Sequence, residues 1–335
     1  MGKNIEMEAE MDKEIKRIAG RSAFAVVLNL VVMYFFVFVV FLIQLLSEVL
    51  QNSTERSVIA DSLDRIMADE GYLEQIFMNN GTGCILGSVV GLLVVGCVMK
   101  KKVSLQEVFQ KQNTISFDSL LKICIVFMGL QFPFAILDIF LEWIFNRIGY
   151  TISFGIEASA ARSQTISMFL YAGIVGPVVE ELIYRGFIMG SLRRFGNLFA
   201  IVISTVLFAL MHTNISQCIY AAACGVILGY VAANYSIKWS IAIHIMNNCI
   251  FGDCLGYLLQ LLSKPAQDVI SYGLGLVLFV LGVWIVIKNH DKICNYILMN
   301  RTEEGYYKYA CKSLMLLFFV IICLISAFSV IEPLP

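Results

Sequence analysis

The chain has 335 residues, of which 59% are hydrophobic and 15% are charged, and its net charge is −1. Soluble domains carry roughly 45–50% apolar and about 25% charged residues, so this composition excludes a soluble globular protein of this size. We expect an all-α membrane protein, because a spanning segment in lipid must satisfy its own backbone hydrogen bonds and does so as a helix. The lipid bilayer is therefore an expected partner, and nucleic acid is not.

Apolar runs in chain order predict nine spanning segments, since a bilayer requires roughly 17–25 residues per helix. The first run, 22–46, follows a charged N-terminal segment, 1–21, and is too long for a signal-peptide core of roughly 7–15 residues. The other runs are 83–99, 120–144, 166–188, 197–212, 216–233, 238–262, 269–287 and 314–331. Because the fifth is short, we expect a polytopic transmembrane helical bundle of eight or nine spans, with residues 22–331 as one domain.

The connections between these helices alternate in charge. Those on the side of residues 1–21 carry 17 Lys and Arg residues, and those on the other side carry five. Cytoplasmic loops are enriched in Lys and Arg, so we expect a cytoplasmic N-terminus, an outer C-terminus and a location in the plasma membrane. In the outer connection 47–82, apolar residues recur at helical spacing around 59–67, which predicts an interfacial helix.

The fourth predicted helix carries two adjacent carboxylates, Glu180 and Glu181. One charge near the bilayer centre costs about 2.5–3.5 kcal/mol on insertion scales, so we expect the pair to have partners or a function. Arg185 lies four residues after Glu181 on the same helix face and can pair with it. Glu180 points about 100° away and is the better candidate for a reactive carboxylate. A structural ion-pair cluster is the alternative interpretation.

Two of the three histidines also lie in predicted membrane helices. His212 ends the fifth helix, four residues after Phe208, and His244 lies in the seventh helix, four residues before Asn248. The third, His290, belongs to a charged loop, where we expect it to be solvated. A lone buried histidine is usually a packing residue, but intramembrane His beside a Glu pair favours a functional site.

Together these motifs resemble a known family. In chain order they are Glu180-Glu181-x-x-x-Arg185, Phe208-x-x-x-His212 and His244-x-x-x-Asn248. On successive apolar helices this pattern resembles the CAAX prenyl protease and bacteriocin-processing family of intramembrane proteases, also called CPBP or Abi proteins. The resemblance covers about 166–262, the predicted catalytic core. It implies a helical bundle that encloses a polar intramembrane cavity, in which Glu and His surround an activated water.

The residues fit that chemistry, since peptide hydrolysis requires a base for the water and donors for the oxyanion and the leaving amine. We expect Glu180 and His212 to hold and deprotonate the water, and His244 and Asn248 to face the oxyanion. The expected substrate is a peptide bond in a membrane-associated or prenylated protein or peptide. Counted along the helices, Glu180 lies nearer the cytoplasmic side and His212 nearer the outside, so tilted helices or a shifted start of the fourth helix must bring them together. The expected supporting residues are Arg185, Phe208 and Tyr184.

Other functions and a metal remain as alternatives. A catalytically silent immunity or scaffold protein of the same fold is one, and a proton-coupled transporter is another, because transporters also carry intramembrane Glu and His. Zinc could be bound by Glu180, His212 and His244, since a catalytic zinc uses three protein ligands. The usual H-E-x-x-H pair is absent, so we expect a Glu-activated water with no obligatory cofactor.

Overall fold

The computed structural model describes residues 2–51, 76, 79–99, 105–110, 112–160 and 163–334. Within them the chain is a bundle of helices, and the predicted all-α class is confirmed. The interfacial helix predicted around 59–67 lies outside the described residues.

The bundle consists of helices of different lengths. In chain order they are α1 (Gly2–Gln51), α2 (Gly81–Met99), α3 (Phe117–Arg147), α4 (Ile166–Phe195), α5 (Asn197–Leu210), α6 (Ile215–Asn234), α7 (237–259), α8 (Lys264–Lys288), α9 (His290–Met299), α10 (Tyr306–Cys311) and α11 (Leu314–Ser329). Helix α3 consists of Phe117–Gly129 and Gln131–Arg147, and short helices Leu105–Val108 and Ser153–Ala160 lie in connections. Two short strands, β1 (Tyr150–Thr151) and β2 (Glu332–Pro333), pair antiparallel.

Among the described residues, six helices are long and apolar enough to cross a membrane: α1, α2, α3, α4, α6 and α8. Helices α5 and α11 are apolar but shorter. At about 1.5 Å per residue, neither reaches across a hydrocarbon core about 30 Å thick. Helix α7 is interrupted by a π-helical part, Met246–Cys254. The predicted runs thus correspond to nine helices, of which six meet the criteria for a full crossing.

Contacts between the connections agree with the two sides that the charge pattern predicts. At one end of the bundle, the N-terminal part of α1 contacts the C-terminal end of α4 and the stretch that follows α9. The pairs are Glu8 with Tyr309, Asp12 with Lys312 and Glu14 with Arg194, at 2.9, 2.6 and 2.8 Å. At the other end, β1 pairs with β2, and the Asn214 amide donates to the Gly155 carbonyl at 2.6 Å.

Helices α1 and α2 pack closely because glycine recurs every four residues on one face of α2, at Gly83, Gly87 and Gly91. A Cβ on Gly87 would lie 2.7 Å from the Cα of Met33, and one on Gly91 would lie 2.2 Å from Oδ1 of Asn29. Small residues let membrane helices approach at backbone distance. Since α2 also contacts α4, this packing brings the middle of α1 close to the carboxylates of α4.

Helix α4 changes its winding on both sides of those carboxylates. The α-helical turn Gly176–Glu181 lies between two π-helical parts, Tyr171–Val175 and Leu182–Ile188. A π-helical turn holds more residues than an α-helical turn, and such turns are frequent at functional sites. The windings of α4 and α7 therefore alter which side chains share a face near Glu180.

The sidedness of the bundle gives a labelling prediction. We expect Glu304→Cys and Glu332→Cys, each in a variant whose ten native cysteines are replaced, to react with a membrane-impermeant maleimide from opposite sides of the membrane. Both glutamates are exposed, one between α9 and α10 and the other in β2, so the two substitutions are matched. Labelling of intact cells and of inverted vesicles measures the result, and labelling of both positions from one side would contradict this arrangement.

Candidate active site

Glu181 is completely buried and engaged by three partners. Its Oε1 lies 2.9 Å from Nη1 of Arg185 and 3.0 Å from Nδ1 of His244, and the hydroxyl of Ser240 donates to its Oε2. The predicted pairing of Glu181 with Arg185 is present, within one helix. Because His244 and Ser240 both belong to α7, this carboxylate also joins α7 to α4.

Arg185 extends the same cluster to two further helices. Its Nη2 donates to the carbonyl of Gly225 in α6 at 3.4 Å, and its guanidinium lies 4.2 Å from the ring centroid of Phe208 in α5. A desolvated guanidinium over an aromatic face is attracted by the ring quadrupole. The Glu181–Arg185 pair is therefore a point at which α5, α6 and α7 meet α4.

Glu180 has a different environment from its neighbour. Its side chain is 20% exposed, whereas that of Glu181 is fully buried. Nε2 of His244 lies 3.7 Å from its Oε2, which is longer than a hydrogen bond. His244 thus lies between the two carboxylates, with one ring nitrogen toward each. Its Nδ1 contact with Glu181 fixes the ring and leaves Nε2 directed toward Glu180.

The rings of the two intramembrane histidines are separated by Phe208. The Phe208 ring packs edge-to-face against His212, with centroids 5.1 Å apart, and against His244, with centroids 6.0 Å apart. Phe208 is itself buried. It therefore sets the spacing between His212 and His244, which gives this predicted supporting residue a direct packing role.

A cavity of about 180 Å³ lies beside Glu180. Its walls come from the middle of α1, from α2, from α4 and from the turn after α5. A water occupies about 30 Å³ in the liquid, so the cavity has room for several. Eight of its lining residues carry polar side-chain groups: Asn29, Tyr34, Ser88, Tyr171, Glu180, Tyr184, His212 and Thr213.

His212 reaches this cavity because α5 ends earlier than predicted. The helix stops at Leu210, and His212 lies in a turn in which its N–H bonds to the carbonyl of Ala209 at 3.2 Å. Thr213 follows with a φ of 50°, in the left-handed region. His212 and Glu180 line the same space.

Three of the predicted site residues, Glu181, His244 and Asn248, are not among the residues that line the cavity. His244 contacts Glu180 and Glu181, whereas Asn248 makes other hydrogen bonds. Its Nδ2 donates to the carbonyl of Ala172 at 3.1 Å, and its Oδ1 accepts from Asn247 at 2.8 Å. The prediction assumed α-helical spacing from His244, whereas the π-helical part of α7 begins at Met246. Glu180, Glu181, His212 and His244 come together, and Asn248 instead ties α7 to α4.

Sequence reasoning missed two polar residues near the carboxylates. Ser240 lies four residues before His244 on the same helix. This spacing puts both side chains on one helix face and could have indicated that Ser240 belongs to the site. Asn29 is a polar residue within the apolar run of α1, and it lines the cavity with only 7% of its surface exposed. The sequence offered one indication: Asn29 puts an amide in the middle of a predicted span. A polar group there needs a partner or a function, as a carboxylate does.

The arrangement does not fit a zinc site. A catalytic zinc requires three protein ligands, and Glu180 with Nε2 of His244 would supply two. Within the described part of the chain, no group of three or more His, Cys, Asp or Glu side chains is arranged to hold a metal ion. Nδ1 of His244 and both oxygens of Glu181 are engaged by other partners.

Fold and site together define a polytopic membrane protein with a carboxylate–histidine cavity among its helices. Residues 162–250 match the family model described as type II CAAX prenyl endopeptidase Rce1-like. The match contains every motif residue from Glu180 to Asn248, and the predicted family resemblance is confirmed.

One curated relative supports the same resemblance. The Bacillus subtilis (strain 168) protein named "Putative membrane peptidase YdiL" is 30% identical over 134 residues, which cover 36% of this chain and 55% of that protein. The chain thus spans about half the length of this relative. No solved structure matches the chain.

The ion pair in α4 gives a stability prediction. Arg185→Ala should lower the free energy of unfolding by about 3–5 kcal/mol, because it leaves a buried carboxylate without its cationic partner. Thermal unfolding of the purified protein in detergent measures the change. The double variant Glu181→Gln/Arg185→Met should recover most of the loss, since it removes both charges. A double variant as unstable as Arg185→Ala would show that the ion pair is not what the packing requires.

Proposed function

We propose that this chain is an intramembrane endopeptidase in which Glu180 activates water to hydrolyse a peptide bond of a membrane-associated or prenylated protein or peptide. One observation carries the proposal: Glu180 borders a cavity with His212 while its neighbour Glu181 is fully engaged. A carboxylate that stabilised the fold would be expected to have the partners that Glu181 has. The match to a family described as CAAX prenyl endopeptidases supports a protease at the family level.

The proposed reaction uses groups that face the cavity. Glu180 takes a proton from a water molecule, and the water oxygen adds to the carbonyl carbon of the scissile peptide bond. When the C–N bond breaks, Glu180 returns the proton to the leaving amine, as a general base that turns general acid. His212 faces the same water from the end of α5. The low dielectric of the bilayer strengthens each of these interactions.

Tyr184 is the oxyanion donor in this proposal. Its hydroxyl is buried at the cavity and has no hydrogen-bond partner among the described residues. An unused donor that faces a developing negative charge is the element that hydrolytic sites require. Asn248, the donor expected from the sequence, donates to a backbone carbonyl instead. His244 acts through Glu180, since its ring is fixed by Glu181 and directed at the reactive carboxylate.

Loss of the base should abolish turnover without loss of the fold. We expect Glu180→Gln to reduce proteolysis by about 10²–10⁴-fold, the usual contribution of general-base catalysis. Thermal stability should stay within experimental error, because the contact of Glu180 with Nε2 of His244, at 3.7 Å, is longer than a hydrogen bond. Quantitative proteomics of membranes from the native host, with the wild-type or the variant chain, measures the accumulation of uncleaved substrates.

The matched control for this comparison is Glu332→Gln, the same substitution at an exposed strand position. It should leave the peptide profile of the membranes unchanged. Identical profiles for wild-type and Glu180→Gln would overturn the proposal and favour a catalytically silent scaffold or immunity protein of the same fold.

We also propose that the reaction has no obligatory metal, on the basis of the donor geometry around Glu180. Cleavage of a substrate identified by that comparison, by purified protein, should survive exhaustive treatment with a strong chelator. Loss of cleavage with stoichiometric recovery on addition of zinc would contradict this. It would make Glu180, His212 and His244 the candidate ligands.

The orientation is part of the same proposal. We place the N-terminus in the cytoplasm and the C-terminus outside the plasma membrane, because the N-terminal side carries most of the Lys and Arg residues. In the labelling experiment, Glu332→Cys should then react from outside intact cells and Glu304→Cys only in inverted vesicles. The reverse pattern would contradict this orientation.

A further inference from the structure

Asn29 lines the proposed site from a helix that the family match does not include. It belongs to the middle of α1, and the match begins at residue 162. Its side chain lines the same cavity as Glu180 and His212. Only 7% of its surface is exposed. No motif from the sequence includes it, and the proposed chemistry does not use it.

The amide of Asn29 is not engaged within the described part of the protein. Its Oδ1 is buried and has no hydrogen-bond partner there. That oxygen points at the bare Cα of Gly91 in α2, where an added Cβ would lie only 2.2 Å away. With the oxygen directed at α2, the N–H donors are the part of the amide left to face the cavity.

A substrate in this cavity would require such donors. A peptide segment that leaves water for the interior of the membrane exposes backbone carbonyls, and unsatisfied carbonyls in an apolar environment cost free energy. The carboxylates of α4 only accept hydrogen bonds when ionised, so they cannot satisfy a carbonyl. The amide of Asn29 is a neutral donor on the α1 wall of the cavity.

We propose that Asn29 is a substrate-positioning residue, whose side-chain amide donates a hydrogen bond to a backbone carbonyl of the substrate beside the bond that Glu180 cleaves. The inference rests on the proposed function. Gly91 contributes to the same positioning, because the absence of a side chain at this residue leaves the space that the Asn29 amide occupies. The competing interpretation is that Asn29 only fills space between α1 and α2.

Replacement of Asn29 separates these interpretations. Asn29→Ala should leave thermal unfolding in detergent unchanged, because its buried oxygen has no partner to lose. Cleavage of the peptides that accumulate in Glu180→Gln membranes should fall by at least tenfold. The probe is this set of peptides, measured in membranes of the native host.

The Gly91 substitution provides a second, paired variant. Gly91→Ala puts a methyl group against the amide and should reduce both cleavage and stability. The double variant Asn29→Ala/Gly91→Ala removes the overlap, so its unfolding temperature should return to the wild-type value while cleavage stays low. The control on the same helix is Gly96→Ala, whose added Cβ would meet only the Phe187 ring, at 3.5 Å. It should behave as wild type.

Each outcome decides one point. Accumulation of the same peptides in the Glu180→Gln, Asn29→Ala and double variants, with normal unfolding of the last two, supports the inference. Wild-type cleavage by Asn29→Ala or by the double variant overturns it and leaves Asn29 as a space-filling residue, while the proposed function stands. If Glu180→Gln itself changes no peptide, the proposed function fails, and this inference fails with it.

Discussion

The negative charge of Glu181 is the constraint around which the helices are arranged. A buried carboxylate in an apolar environment must be compensated, and Glu181 takes its partners from its own helix and from α7. Arg185 then contacts α5 and α6. The same contacts that neutralise one charge therefore fix four helices relative to one another. They also hold His244 in the orientation in which it faces Glu180.

That arrangement gives two chemically identical neighbours opposite environments. Glu181 is saturated with donors, whereas Glu180 borders a space large enough for water. Such a division suits the proposal that Glu181 is structural and Glu180 reactive, as in other sites where paired carboxylates have distinct roles. The proposed base can be held less tightly, because the fold depends on its neighbour. A rigid cluster beside an open cavity is the arrangement that preorganised catalysis requires.

The fold class, the helix order and most of the site could be predicted because they depend on patterns of local origin. Apolar runs identify spans, and the four-residue spacing of Glu181 and Arg185 identifies their pairing. The hydrogen bonds of Asn248 to Ala172 and Asn247 could not be predicted, because the sequence indicated α-helical winding where the structure has a π-helical part. His212 was placed in a helix because Met211 and His212 continue an apolar run, with no Gly or Pro to mark the end. Asn29 could not be assigned to the site because its proximity to Glu180 depends on the packing of α1 against the glycines of α2.

The Glu181–Arg185 pair has a consequence for how the chain is made. Synthesis proceeds from the N-terminus, so α4 enters the bilayer before the residues of α7 exist. At that moment His244 and Ser240 cannot help, and each isolated charge at the membrane centre would cost about 2.5–3.5 kcal/mol. Because Arg185 is on the same helix, one turn away, it is already present to compensate Glu181 during insertion. The nascent helix thus carries its own counter-ion, which lowers the free energy of inserting Glu181 into the bilayer. Helix α7 adds the remaining partners of this carboxylate later.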